Sequence, residues 1–223
     1  KTVGVNASYP LARRFDFSLS LVGSYDYKKL VDKTSVGETS NREVQVTSLG
    51  LSGYTQFEQG PFAGGTTAFG VGLNVGDSQQ NNAAALAADS TTRRIEGSYT
   101  KFSYRVGHIR PITQDWRLMA NLRGQLGNKN LDSSERMALG GPDAVRAYPV
   151  SEANGDEGWI LNLNARRSLS DRLAATVFFD AGGITLNHET WAGWNAANPR
   201  LENRYQLYGA GAGLDWLFAP NAL

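Results

Sequence analysis

The chain has 223 residues, a formal net charge of +1 and no cysteine, so it offers no basic surface for nucleic acid and no thiolate zinc site or disulfide scaffold. With 25 glycines, 7 prolines and 10% aromatics, it suits strands joined by tight turns better than helices. A mean hydropathy of −0.37 and the lack of an 18-residue apolar run exclude a membrane-spanning helix, but not a membrane barrel, whose strands are only half apolar.

Alternation at period 2 predicts about nine strands. Lys1-Thr2-Val3 opens directly into the first, where Val3, Val5, Ala7 and Tyr9 alternate with small and polar residues. With no signal peptide ahead of it, the chain reads as an internal portion of a longer protein. In the second strand Phe15, Phe17, Leu19, Leu21, Tyr25 and Tyr27 share one face. The third, around Val44 to Phe57, changes phase near Ser48, so a bulge or a different register is expected. The fourth carries Phe69, Val71, Leu73 and Val75, and the fifth, near Arg94 to Ile109, changes phase between Tyr99 and Phe102. Trp116, Leu118, Ala120, Leu122 and Leu126 mark the sixth; Trp159, Leu161, Leu163 and Ala165 the seventh. Leu173, Ala175, Val177, Phe179 and Ala181 mark the eighth, opposite Thr176, Phe178, Asp180 and Gly182. In the ninth, Tyr208, Ala210, Ala212, Leu214 and Trp216 oppose Gly209, Gly211, Gly213 and Asp215.

The connections alternate in length. Residues 10–14, 58–64, 111–115 and 169–172 are short; residues 29–42, 77–92, 128–158 and 185–204 are long and polar. Soluble domains seldom carry long structureless loops, whereas outer-membrane barrels alternate short periplasmic turns with long external loops. A soluble antiparallel sandwich could show the same in/out alternation. Segments near the ~9–11 residues needed to cross hydrocarbon, and Tyr and Trp near segment ends, favour an all-β antiparallel transmembrane barrel. Bacterial single-chain barrels have even strand numbers. Nine strands are therefore expected to be an incomplete set, with others before residue 1 and another beginning near Asn221-Ala222-Leu223.

Two stretches carry more specific information. One is Leu139-Gly140-Gly141-Pro142-Asp143-Ala144-Val145-Arg146-Ala147-Tyr148-Pro149, in a long loop that its Gly-Gly-Pro can fold sharply back. The other is Phe178-Phe179-Asp180-Ala181-Gly182, in the eighth strand. Parity sets Asp180 on the polar face, away from Val177 and Phe179. Arg146 can offer a carboxylate a two-pronged fork and stays charged at any relevant pH; Lys would be a poorer substitute.

Together these residues resemble the Gly-Gly-Pro…Val-Arg-(Gly/Ala)-Tyr loop and the Phe-x-Asp-x-Gly strand of the outer-membrane transporters of two-partner (type V) secretion, the haemolysin-activator family. Asn130-Leu131-Asp132-Ser133-Ser134-Glu135 and Gly155-Asp156-Glu157-Gly158-Trp159 also look like that family in order and spacing. Ala147, where many members have Gly, and Asn164, where Glu is common, depart from it.

The resemblance implies a 16-stranded barrel preceded by periplasmic POTRA domains. Residues 1–223 would form its sixth to fourteenth strands, as one partial barrel domain without POTRA domains. It implies export of a large exoprotein (haemolysin, adhesin or contact-dependent toxin) from periplasm to cell surface of a Gram-negative bacterium, without ATP, cofactor or enzymatic step. Its partners would be that exoprotein and outer-membrane lipid, with neither nucleic acid nor a small-molecule substrate. The loop would enter the lumen and lock or gate it through Arg146 and Asp180. Gly140, Gly141, Pro142, Val145 and Tyr148 would support the loop, and Phe178 and Gly182 the wall. In a wet lumen the pair would be worth about 0–1 kcal/mol; breaking it desolvated would cost about 3–5 kcal/mol. A barrel-assembly insertase of the same superfamily and a passive porin-like channel are the alternatives.

Other signals are plainer. His108 and His188 lack acidic partners at metal-ligand spacing, and no catalytic residue is assigned. Gly70, Gly72 and Gly76 read as small wall residues, not a nucleotide loop. Gly209, Gly211 and Gly213 read as room for the inserted loop. Residues 77–92 read as a mobile surface loop.

Overall fold

Among the described residues, nine strands pair in one antiparallel sheet whose spatial order follows the chain. They are β1 (Thr2–Arg13), β2 (Phe17–Thr34), β3 (Gly37–Gln56), β4 (Thr66–Gln80), β5 (Gly97–Pro111), β6 (Trp116–Gly127), β9 (Glu157–Ser170), β10 (Leu173–Thr185) and β11 (Arg204–Trp216). The helix α1 (Ala83–Thr91) lies between β4 and β5, and the short pair β7 (Met137–Ala138) and β8 (Asn154–Gly155) lies inside the β6–β9 loop. The computed structural model describes residues 1–35, 37–60, 62–150 and 152–218. The further strand expected near residues 221–223 lies outside them.

The register separates two faces. Phe69, Val106, Leu122, Leu161, Ala181 and Tyr208 lie in one cross-strand row, and Leu49, Leu73, Phe102 and Leu126 in another. Most of these apolar side chains are exposed, as are Val71, Val75, Leu163, Val177 and Phe179. A soluble sandwich would bury this face against a second sheet, but the only other sheet among the described residues is the two-residue pair β7–β8. A face that apolar, without protein against it, is suited to hydrocarbon. The opposite face holds a row of Gly107, Asn121, Asn162, Asp180 and Gly209. The described strands do not close on themselves: β1 and β11 are the edges of the sheet.

Three expectations need correction. The phase change in β3 is not a bulge, because its pairing runs without a shift through Ser48, and β5 likewise pairs without a shift through residues 99–102. Val44, Val46 and Tyr99 instead lie on the polar face and pack around Leu131 of the β6–β9 loop. Residues 29–42 are mostly strand, with β2 and β3 pairing as far as Thr34 and Gly37. Beyond the membrane both faces of a strand meet water, so alternation fades while backbone pairing continues. Residues 77–92 are not a loop throughout, since β4 reaches Gln80 and α1 follows. Asn82 caps that helix by accepting from the Ala85 amide at 3.0 Å, and the alanine run that follows is strongly helix-forming.

Candidate functional site

The β6–β9 loop folds over the polar face of the sheet and is closed by its own backbone. The Leu139 amide donates to Ala153 O (3.0 Å), Val145 N to Leu139 O (3.0 Å) and Ala144 N to Gly141 O (3.0 Å). Gly141 has φ +117°, open to glycine and strained for other residues. At Gly140 a Cβ would lie 2.1 Å from Pro149 O, so the chain can close only without a side chain there. Pro142 follows at the turn, and Ala147 has no positive φ.

This fold aims Arg146 at Asp180. Arg146 Nε donates to Oδ2 at 2.8 Å and Nη2 to Oδ1 at 2.7 Å, a two-pronged fork. The Arg146 amide adds a third bond to Oδ2 at 3.0 Å. Asn162, paired with Asp180 across β9 and β10, donates from Nδ2 both to Asp180 Oδ1 (2.7 Å) and to Ala144 O (2.8 Å). Asp180 is fully buried, and the guanidinium sits 3.7 Å from the centre of the Phe178 ring. The pair is therefore desolvated on its carboxylate side, which places breaking it nearer the ~3–5 kcal/mol regime than the exposed one.

Apolar contacts surround the charges. Leu139, Ala144, Val145 and Ala153 of the loop pack with Ile160, Ile184 and Leu207 of the wall, and Tyr148 borders the cluster. Glycines set how closely the loop approaches. A Cβ on Gly182 would lie 2.5 Å from Leu139 Cδ1, and one on Gly209 2.9 Å from Ala147 Cβ. Gly211 makes room for the Phe178 ring instead, and among the described residues nothing lies within 4 Å of a Cβ on Gly213. Of the three glycines read as space for the loop, only Gly209 meets it.

The root of the loop is held separately. Asp132 accepts from Arg42 Nη1 at 2.7 Å; Glu135 accepts from Lys28 at 2.5 Å and Lys101 at 2.8 Å. Asp156, fully buried, takes Arg136 Nε (3.0 Å) and the amides of His188 (2.9 Å) and Leu131 (3.2 Å). Burial pushes the Asp156 carboxyl up against these donors, with Arg93 nearby. Burial also works to raise Glu135, but Lys101 and Lys28 outweigh it and hold its carboxyl below the usual range.

Sequence reasoning singled out Arg146 and Asp180 but missed Asn162: the pairing shifts by one residue between Leu173 and Ala174, so counting back from the β9–β10 turn sets Leu163, not Asn162, opposite Asp180. It also missed Ile160, Ile184 and Leu207, apolar residues on the otherwise polar face.

The model of the haemolysin secretion/activation protein family ShlB/FhaC/HecB matches residues 1–216. The heme/hemopexin transporter protein HuxB of Haemophilus influenzae is 24% identical over 186 residues, covering 81% of this chain and 32% of that protein. The HuxB of strain 86-028NP is 24% identical over 223 residues, covering 96% of this chain and 37% of its own length. The chain thus spans about a third of the curated relatives it matches. Among solved structures, CdiB from Acinetobacter baumannii superposes with a TM-score of 0.70 at 14% identity, covering 97% of this chain and 35% of that one, a likeness of fold.

Proposed function

The chain belongs to the haemolysin secretion/activation family ShlB/FhaC/HecB, outer-membrane β-barrel proteins of Gram-negative bacteria, and on that premise we propose that it forms part of the wall and the inner loop of a transporter exporting a large partner exoprotein. The nine strands are then one portion of a larger closed barrel, because only closure satisfies every backbone polar group in lipid. The observation that carries the reading is the loop docked on the polar face by Arg146 and Asp180. Docked there, it would occupy the path of a passing polypeptide; undocked, it would leave a polar track along the wall.

Release has a definable cost. Three bonds from Arg146, the one from Asn162 to Ala144 O and the Leu139–Val145 packing must all be given up. A polypeptide sliding along the wall could replace them one at a time, and its folding outside the cell would supply direction without ATP. The family match favours export over barrel assembly, and the loop favours a gated path over an open pore. The name of HuxB associates those relatives with heme and hemopexin; for this chain the proposed cargo is a large secreted protein, of unspecified ligand.

The test uses the full-length protein co-expressed with the large secreted protein of its own locus. Since these residues contain no cysteine, Ala147→Cys with Gly209→Cys would tether loop to wall on oxidation. The partner should reach the medium under reducing conditions and be retained at least tenfold more under oxidising ones. Export that is equal in both states, or independent of the transporter, would end the proposal.

A further inference from the structure

Arg105 of β5 and Arg123 of β6 are direct cross-strand partners. Like charges opposite one another destabilise a sheet, so this pairing calls for a compensating partner. Among the described residues neither arginine forms an ion pair, although ten pairs exist elsewhere, including Arg166–Asp215 on the same face. Arg123 donates instead to the backbone carbonyl of Asp143 at the loop tip. Arg105 lies flat over Gly70, where a Cβ would come within 2.8 Å of its Nε; the glycine leaves it room to do so. Both arginines, with Arg146, border a recess of 760 Å³ between loop tip and wall, whose other polar lining includes Ser52, Asn121 and Asn162. Asp143 is the one acidic residue among the described residues that line it, and Asp180 already neutralises Arg146. The recess therefore carries surplus positive charge and hydrogen-bond donors under the tip of the loop.

We propose that Arg105 and Arg123 form a carboxylate-binding site for acidic side chains of the exported polypeptide, a statement that rests on the export reading above. A carboxylate bound between them relieves their mutual repulsion by forming charge-assisted bonds. It also draws Arg123 from the Asp143 carbonyl, so cargo arriving at the site loosens the loop tip that blocks its path. Arginine suits the task better than lysine, because its planar fork meets a carboxylate two bonds at a time.

The test is binding of a fluorescent hexaglutamate peptide to the full-length protein in lipid nanodiscs, read by anisotropy, with hexaglutamine as control. The wild type should bind hexaglutamate, lose it with rising salt and ignore hexaglutamine. Arg105→Gln, a change that touches no loop residue, should weaken binding about fivefold, and Arg105→Gln with Arg123→Gln at least tenfold. The double Arg→Lys variant should recover part of the loss, which a merely misfolded wall would not. Equal affinity in wild type and double Gln variant, or no binding to the wild type, would overturn the site. Peptide binding that survives while the partner is not exported would instead sink the export reading and leave the site standing.

Discussion

Asp180 and Arg146 are unequal partners. The carboxylate is fully buried, while the arginine side chain keeps 27% of its surface exposed. Arg146→Ala strands a buried anion with only two of its four donors, Asn162 Nδ2 and the amide of residue 146, and should undock the tip at a cost of about 3–5 kcal/mol. Asp180→Asn leaves the arginine within reach of water and should cost about half as much. Amide hydrogen exchange over residues 139–149 of the full-length protein would read both, and equal protection loss in the two variants would contradict the asymmetry. Much of this pair was legible beforehand, because strand parity alone sets Asp180 on the polar face and the loop's Gly-Gly-Pro marks a sharp fold. Asn162 was harder to see: its role depends on register across two strands, which one strand's alternation does not encode.

Between loop and wall, small residues and buried carboxylates act on different parts of one element. Gly209→Ala should push on Ala147, 2.9 Å away, and weaken docking by the ~1–3 kcal/mol typical of overpacking. Gly213→Ala, with open space around it, should change nothing. Protease resistance of the loop would separate them, and matching behaviour would count against the close approach. At the root, Glu135 has a depressed carboxyl. Its contribution is present above the unfolded value of about 4.3 and is lost as pH falls through the lower folded one. Root protection should therefore fade in that acid window in the wild type, and Glu135→Gln should show lower protection with no such step. A wild-type-like acid transition in that variant would shift the cause to another group. Alternation could not have revealed this root. Val44, Val46 and Tyr99 broke the pattern because they serve the loop, and in β3 the break read as a bulge or a different register. Likewise the β2–β3 extension past residue 29 and the helix at Ala83 lie where water on all sides removes the hydrophobic signal, leaving pairing and propensity to decide.

For the whole molecule the question is what the outward face touches. Leu49 and Leu73 are direct cross-strand partners in the middle of that face, 59% and 50% exposed. Were the surroundings water, arginine at either position would cost within about 0.5 kcal/mol, like most surface changes. Against hydrocarbon, a charge near the bilayer midplane costs about 2–4 kcal/mol, so Leu49→Arg and Leu73→Arg should each destabilise the full-length barrel by that much. Ser20→Arg supplies the contrast: it adds the same charge to the opposite, polar face, where a wet lumen should accept it at small cost. Urea titration of the full-length protein folded into lipid vesicles measures all three. Near-neutral arginines at Leu49 and Leu73 would mean that protein or water covers the outward face, and the polar face would lose its claim to be a lumen. A large penalty confined to those two positions would tie the apolar rows to lipid, and with them the inward aim of Asp180.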